Sequence, residues 1–256
     1  MRLKYAVSVI LSALLTLPAS AADRTREQVV ALLARSVGAD LAGLDLSDID
    51  LSGLDFRHAD LTGASLFSAR LVSSNLQGAN LTRVNLNGAW LMDTDFRDAR
   101  MIDCTLMSIV VLGGEVQKRP SFAGADLSRA RIIGNLPGTD LSHAKLVNAN
   151  LGVNIKNQGM GQMRTDLTGA NFAGADLSGA DLNRALLAFA SLRGASLAGA
   201  NLYRSTLTGA DLTGADVAGA DFSEADIDGA IFIGVTGLSA AKGIDNAVNR
   251  DRAIFQ

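Results

Sequence analysis

Residues 165–234 read as fourteen consecutive words of five residues: TDLTG ANFAG ADLSG ADLNR ALLAF ASLRG ASLAG ANLYR STLTG ADLTG ADVAG ADFSE ADIDG AIFIG. Each word has an apolar residue at its centre and a small residue, usually Ala, two positions before it. The fourteen centres are Leu167, Phe172, Leu177, Leu182, Leu187, Leu192, Leu197, Leu202, Leu207, Leu212, Val217, Phe222, Ile227 and Phe232. A period repeated this often at one fixed length indicates a repeat architecture before any single residue is considered.

A period of five fits neither an α-helix, which repeats every 3.6 residues, nor a strand, which repeats every 2. Each word is therefore interpreted as a short extended piece followed by a bend, and the glycine that often ends a word eases that bend. Because alternate residues of extended chain point the same way, the apolar centre and the small residue two before it both face inward. The pattern predicts a coiled chain around a core of Leu, Phe and Ala.

These words resemble those of the pentapeptide repeat family, whose word is A-[D/N]-L-x-x. The resemblance covers nearly all of the chain after residue 38, since further centres run from Leu41 to Leu106 and from Phe122 to Leu151. It implies an all-β fold, a right-handed quadrilateral β-helix solenoid in which four words make one coil. Residues twenty apart would then stack as in a parallel sheet, with roughly 4.8 Å between neighbours.

The first 21 residues have the composition of a secretory signal peptide. Basic Arg2 and Lys4 precede an apolar run over residues 6–17, and Ala19-Ser20-Ala21 offers a cleavage site. The run is shorter than the roughly 20 residues of a membrane-spanning helix. We expect cleavage near Ala21, a periplasmic or secreted protein, and no stable membrane span after cleavage; the alternatives are an uncleaved anchor and a buried core strand.

Both ends of an open β-helix expose unpaired strand edges, so a cap is expected at each end. Residues 22–38 are predicted to form an N-terminal capping helix, in which Thr25 and Gln28 have the spacing of a capping box. The apolar stripe of this helix extends to Val37. Residues 235–256 leave the five-residue pattern and have a helical look, so they are predicted to form a second helical cap.

Between the caps, residues 39–234 are assigned to one β-helix with irregular corners. The phase of the words shifts by one residue near Arg119, after a centre at Val116, and shifts back around Pro137. Residues 152–164, GVNIKNQGMGQMR, fit neither phase and are predicted to leave the coil as a loop. The candidate contact residues of this loop are Asn157, Met160 and Met163. Two thioethers without a neighbouring His or Cys are too few to predict a copper(I) site.

Composition and charge exclude several classes of function. The formal net charge is −3, and it becomes −5 without Arg2 and Lys4. Such a chain lacks the positive stripe of a duplex-binding surface, so no nucleic-acid partner is expected. The single Cys104 lies at a small inward position and is predicted to be a buried, inert thiol. No cofactor or metal site is predicted.

Charge is also unevenly distributed along the chain. Residues 39–112 hold ten Asp against five Arg, and residues 165–234 hold nine acids against three Arg. Residues 113–164 hold three acids against seven basic residues. The sequence therefore predicts an acidic rod with a basic middle.

An outward apolar cluster is the strongest candidate for an interaction surface. With twenty-residue stacking, Trp90 lies within a column of apolar and basic side chains, where a solvated rod has no need of them. The residues assigned to this patch are Arg70, Val72, Trp90, Met92, Ile102, Met107, Val110 and Leu112. The alternative is that the loop at residues 152–164, or a terminal cap, folds over them.

The function predicted from these features is that of an exported, non-catalytic repeat scaffold that binds a protein partner, and a homodimer is possible. The family resemblance also permits an acidic, cytoplasmic rod that mimics DNA and acts on DNA gyrase, with outward columns such as Asp40 with Asp60 and Asp181 with Asp221 across Asn201. An enzyme built on the loop at residues 152–164 is a weaker alternative, because a rod without a pocket offers no place for a substrate.

Overall fold

A computed structural model describes residues 23–110, 119–153 and 164–255 of the chain. These residues contain one α-helix, α1 (Arg26–Leu33), and one pair of parallel three-residue strands, β1 (Thr105–Met107) and β2 (Arg131–Ile133). Three 3-10 helices follow near the C-terminus, at Leu238–Ala240, Ile244–Asn246 and Arg250–Arg252. Almost all other extended residues of the described segments form single parallel bridges, because each side of the coil is only a few residues wide.

The register of these bridges gives a four-sided coil. Asp40 pairs with Asp60, Asp45 with Ser65, Asp50 with Arg70 and Asp55 with Asn75, in every case twenty residues apart. These four starting residues define the first, second, third and fourth sides of the rod. Each later bridge adds one rung to a side, so the sequence prediction of four words per coil is confirmed.

The interior is formed by the predicted positions. Leu167, Phe172 and Leu177 are fully buried, and so are Ala170 and Ala180 two positions before their own word centres. Burying a side chain of this size contributes roughly 1.5–3 kcal/mol, and the rod repeats that gain at every word. The core is therefore one continuous apolar column.

Each word bends in the same way. The N–H of Ala170 donates to the carbonyl oxygen of Leu167 at 2.9 Å, which closes a four-residue turn. Gly169, the third residue of this turn, has a φ of 66°, the positive value that a type II turn requires there. The Asp before the centre supports the bend, since Asp166 Oδ1 accepts a hydrogen bond from the N–H of Thr168 at 2.9 Å. The frequent Asp of the word thus has a structural role on every side.

Two insertions interrupt the register at neighbouring corners. Trp90 pairs with Val110 twenty residues later, but Asp95, on the next side, pairs with Ser121, twenty-six residues later. The third and fourth sides are thus consecutive at Val110 and Ser121. The predicted word centred on Val116 lies outside the described residues.

The second phase shift also differs slightly from the prediction. Arg131 and Asn135 occupy consecutive sides although only four residues apart, so the short word ends at Gly134 and precedes Pro137. The second insertion lies between Asn150 and Asp166, which also occupy consecutive sides, the second and the third. The loop predicted for residues 152–164 falls within this stretch. Of that segment, residues 154–163 lie outside the described residues.

The N-terminal cap is a shorter helix than predicted. Thr25 and Gln28 form the expected capping box, and Val29 is fully buried against the first coil. The helix ends at Leu33, and Val37 is 87% exposed, so the predicted stripe to Val37 is wrong. The chain has to leave the helix there because residues 34–39 carry it to the first side of the coil.

One helix residue replaces part of a missing rung. The Arg26 guanidinium donates to the carbonyl oxygens of Asp50 and Ser52 at 2.6 and 2.9 Å. These are the oxygens that amides of a lower coil would otherwise bond on the third side. The cap therefore covers both the core and a strand edge.

The C-terminal segment continues the same rod as a coil with longer corners, whereas the sequence pattern predicts a helical cap. Thr236, Lys242, Val248 and Ile254 are spaced six residues apart, and they pair with Asp216, Asp221, Asp226 and Ile231. A 3-10 helix occupies each of the three corners between them. Six-residue words place apolar residues at spacings that resemble a helix, which explains the misinterpretation.

Candidate interaction surface

The third side of the rod carries the Trp90 patch. Arg70, Trp90 and Val110 occupy consecutive rungs in the column before the word centres. Val72 and Met92 lie in the column after the centres, and both are half-buried. The structure thus places five of the predicted residues on one side, defined here as the Trp90 patch.

The other predicted residues are distributed around this side. Ile102 lies on the first side and Met107 on the second, and both are half-buried. Leu112 lies outside the described residues. So do Asn157, Met160 and Met163, the candidate contact residues of the loop.

The backbone of Trp90 is part of the coil ladder, and the residue remains partly accessible. Its N–H donates to the carbonyl oxygen of Ala69 at 2.9 Å, and its own carbonyl oxygen accepts from the N–H of Leu71 at 2.8 Å. Its side chain nonetheless remains 38% exposed. Partly exposed Trp side chains are enriched among the anchors of binding surfaces.

A cation stacks on this ring. The Arg70 Cζ atom lies 5.0 Å from the centroid of Trp90, which is the geometry of a cation–π contact. Arg70 Nε also lies 3.8 Å from Asp50 Oδ2, and Asp50 in turn approaches Arg26 of the cap at 3.9 Å. These contacts with Asp50 hold the Arg70 guanidinium over the Trp90 indole. The other residues of the Trp90 patch, Val72, Met92 and Val110, are apolar.

A second apolar cluster lies higher on the third side, and the sequence analysis did not identify it. Leu186 occupies a column where Asp or Asn is usual, and Phe189 occupies the last position of its word. Phe189 has a φ of 58° and is 68% exposed. It is the one apolar residue among the described non-glycine residues with positive φ. The signal was available in the sequence, because the word ALLAF ends in Phe where its neighbours often end in Gly.

Basic side chains line the corner next to this cluster. Arg164 Nε donates to the carbonyl oxygen of Arg184 at 2.5 Å, and Arg164 Nη2 donates to Thr206 Oγ1 at 3.0 Å. Partial burial, and then repulsion by the Arg184 guanidinium, lower the pKa of Arg164. Two like charges are therefore held near Leu186 on the third side.

The acidic columns are less negative than the sequence suggested. Asn201 Nδ2 donates to Asp181 Oδ1 at 2.9 Å, and Asn80 Nδ2 donates to Asp60 Oδ1 at 3.2 Å. Arginines neutralise others, as where Arg129 binds both oxygens of Asp103 at 2.7 Å and lowers the pKa of that carboxyl. Amides and arginines thus separate the carboxylates along the rod.

The described residues offer few reactive groups. Cys104 is 1% exposed, and its burial raises the pKa of the thiol. In the same segments no three His, Cys, Asp or Glu side chains are arranged to hold a metal ion. None of the helices found there has the length and apolar character of a membrane span.

The open groove at the N-terminal end is formed by the cap. It has a volume of about 750 Å³ and lies between residues 30–39 and the fourth side at Leu54, Arg57 and His58. Arg57 is bound to both oxygens of Asp55 through Nε and Nη2, which lowers the pKa of Asp55. Because its guanidinium is paired with Asp55, Arg57 does not offer an unpaired charge to a substrate in this groove.

The fold defines the class of protein as a right-handed quadrilateral β-helix. The sequence profile of the pentapeptide repeats family matches residues 37–106 and 165–236, in overlapping copies. Over most of its length the chain also resembles HetL, a pentapeptide repeat protein involved in heterocyst differentiation regulation from the cyanobacterium Nostoc sp. strain PCC 7120. Identity to HetL is 30%, the alignment covers 90% of this chain and 98% of HetL, and the TM-score is 0.60. The chain belongs to the pentapeptide repeat family.

Other solved structures share the repeat with less overall similarity. QnrB1, a plasmid-mediated fluoroquinolone resistance protein, is 17% identical over 69% of this chain and 83% of its own, with a TM-score of 0.38. A pentapeptide repeat protein from the Arabidopsis thaliana thylakoid lumen is 29% identical over 41% of this chain and 63% of its own, with a TM-score of 0.21. The comparison with curated proteins finds no match.

Proposed function

We propose that the chain is an exported, non-catalytic scaffold that binds a protein through the third side of its rod, with Trp90 as the anchor. The observation that supports this most directly is that Trp90 is 38% exposed and has the Arg70 guanidinium stacked on its ring. Trp and Arg are enriched at the centres of protein interfaces. The surrounding Val72, Met92 and Val110 provide an apolar contact area.

The remainder of the rod supports a binding role over catalysis. Its words fill the core and make the turns, and the acids before the centres hydrogen-bond to their own backbone, as in Asp166 to Thr168. Those acids therefore follow from coil geometry. The DNA-mimic alternative requires a continuous negative surface, which the interleaved Asn80 and Asn201 dilute.

Capture of a partner from a periplasmic extract tests the binding surface. The Trp90→Ala variant should lose the captured protein, because the anchor and its cation–π contact are removed. Phe67→Ala is the matched control, since Phe67 is 46% exposed but lies on the second side. Capture that is equal for wild type and Trp90→Ala would exclude the patch from the interface.

Export is tested separately by cell fractionation and N-terminal sequencing. We expect a mature chain that starts near Ala22 and lies outside the cytoplasm. A cytoplasmic protein that retains Met1 would refute export. Salt-sensitive binding of that protein to DNA gyrase would then support the DNA-mimic alternative.

A further inference from the structure

Basic residues gather where the first side of the rod turns into the second. The bridges place residues 80–85, 100–105, 126–131 and 145–150 on four consecutive rungs of this corner, defined here as the basic corner. These four segments contain five basic and two acidic residues, a net charge of +3. The basic residues are Arg83, Arg100, Arg129, Arg131 and Lys145, and the acidic ones are Asp103 and Asp126.

The same corner is acidic on the rungs below and above. Residues 40–45 and 60–65 contain three Asp and no basic residue, and residues 176–181 contain two Asp and no basic residue. The positive charge is therefore confined to four rungs, which span three rung spacings, about 14 Å along the rod.

Three of these bases are exposed and are not neutralised by the rod. Arg83, Arg100 and Lys145 are exposed, and none of them forms a salt bridge with a described residue. An arginine on the fourth side shows the contrast, since Arg193 Nη1 lies 2.8 Å from Asp211 Oδ2. The three bases of the basic corner thus present their full charge to solvent.

The two acids of the basic corner are already engaged. Nε and Nη2 of Arg129 donate to the two carboxylate oxygens of Asp103, each at 2.7 Å. Asp126 Oδ1 accepts from the N–H of Ser128 at 3.1 Å and from its hydroxyl at 2.6 Å. Arg131 is half-buried, and its Nε has no hydrogen-bond partner among the described residues. The excess positive charge is therefore available to a ligand.

We propose that the basic corner binds a short acidic segment of a protein, with Arg83, Arg100 and Lys145 as the contacts. Alternate side chains of an extended peptide face the same way, so three acids at alternate positions span about 14 Å. That length equals the length of the basic corner. The first and third sides are opposite faces of the rod, so this surface is separate from the Trp90 patch and goes beyond the proposed function.

Longer anions and flat anionic surfaces fit the basic corner less well. A membrane surface or a nucleic acid that followed the rod would also meet Asp60 below and Asp176 above, and like charges repel. The four segments contain no aromatic residue for nucleotide bases to stack on. A peptide of about five extended residues ends before it reaches the acidic rungs.

Titration of the isotope-labelled protein with a peptide that contains Glu-Val-Glu-Val-Glu, followed by nuclear magnetic resonance, tests the basic corner. The amide signals of residues 100–105 and 126–131 should shift, with a dissociation constant on the order of a millimolar, because exposed ion pairs are individually weak. Binding should be tighter at about 20 mM salt than at about 150 mM, where the Debye length is roughly 8 Å. A wild-type protein without such shifts up to about 10 mM peptide, roughly tenfold above that constant, would overturn the proposal.

Single substitutions test the contacts. Arg100→Gln should weaken the dissociation constant about three- to fivefold, as expected for one exposed ion pair. The combined Arg83→Gln, Arg100→Gln and Lys145→Gln variant should show no shifts. Arg193→Gln is the matched control, because it removes one exposed charge from the fourth side, and it should bind the peptide as wild type does. Equal affinity of the wild type and the combined variant would refute the contacts.

An opposite change distinguishes binding from a structural role of the bases. Asp126→Asn removes an acid from the basic corner and should tighten binding about threefold, the reverse of the loss expected for Arg100→Gln. An amide oxygen can still support the bend, as Asn171 Oδ1 does by accepting from the N–H of Ala173 at 3.1 Å. Weaker binding by Asp126→Asn, with an unchanged melting temperature, would contradict the charge argument.

Other anions and the Trp90 patch complete the test. Single-stranded oligothymidylate and phosphatidylglycerol vesicles should affect the amides of the basic corner less than the peptide does; a stronger effect that the combined variant abolishes would overturn the assignment to a peptide. Trp90→Ala should bind the peptide as wild type does, and a loss of binding would refute a separate surface. Absence of peptide binding, with capture of an extract protein still dependent on Trp90, would overturn this proposal and leave the proposed function in place.

Discussion

Removal of the Phe96 ring tests whether the rod is stabilised rung by rung. Phe96 and Phe122 are at most 2% exposed, and their rings stack with centroids 4.9 Å apart and an interplanar angle of 1°. The pair joins the rungs on either side of the first insertion, since Phe96 N–H donates to the carbonyl oxygen of Ser121 at 2.8 Å. Truncation of a buried Phe to Ala costs about 3–5 kcal/mol, because the cavity left behind fills only in part.

In a solenoid each repeat contacts mainly its neighbours, so this loss should be local. Hydrogen exchange of the Phe96→Ala variant should accelerate in peptides around residues 91–110 and 119–130, with little change in residues 207–232. Phe96→Leu restores the commonest centre of the word and should recover most of the protection. Phe222→Ala, whose ring packs edge-on against Phe232 at 5.8 Å, is the matched control and should affect the C-terminal rungs instead.

The same exchange pattern in both variants would refute rung-by-rung stabilisation of the rod. If Phe96→Ala and Phe222→Ala both accelerated exchange evenly along the chain, the rod would unfold as one unit. The apolar column would then act as a single cooperative core, and no local effect could be assigned to a word.

Three further predictions concern local features. Cys104 should react with a thiol reagent only after denaturation in urea, because burial raises the pKa of its thiol and keeps the reagent from reaching it. Labelling of the native protein at the rate of a free thiol would contradict this. The hydrogen bond from Arg97 lowers the pKa of Asp95, so the pair stabilises the fold above the unfolded pKa of Asp and loses that effect as pH falls through the lower folded pKa. Between pH 7 and pH 2 the melting temperature should therefore fall less steeply for Arg97→Ala than for wild type. An equal fall for the two proteins would refute this contribution of the pair. Thr25→Ala should destabilise α1 by about 1 kcal/mol through loss of the capping box, seen as faster exchange of the Gln28 amide, with Thr213→Ala as a distant control.

The sequence was sufficient to predict the coil because one cause fixes most positions. An inward Leu such as Leu167 and a bend such as Gly169 recur at the same spacing, so their stacking twenty residues apart follows from the word alone. The capping box at Thr25 was equally readable, since it depends on residues three apart. Each of these features is local in sequence, and each is confirmed.

Features that depend on the whole coil could not be predicted from the sequence. The end of α1 at Leu33 is set by where the chain must enter the first side, and no residue near Val37 signals that distance. The six-residue corners after Gly237 place Ile244 and Ala247 at a helix-like spacing, and only the pairing of Lys242 with Asp221 shows that the coil continues. The sequence shows that Phe189 ends its word. Its positive φ, which destabilises a bulky residue, is a property of the bend.

The insertions show why the third side is the one to examine for function. One lies between Val110 and Ser121, at the corner between the third and fourth sides, and the other lies between Asn150 and Asp166, at the corner between the second and third sides. Both corners therefore border the side that carries Trp90, Leu186 and the exposed ring next to it. A regular coil treats its four sides alike, so departures that border one side cannot follow from coil geometry. Trp90 lies on this side and Phe189 at its edge, although the two are far apart in sequence, which supports the binding role proposed for the third side.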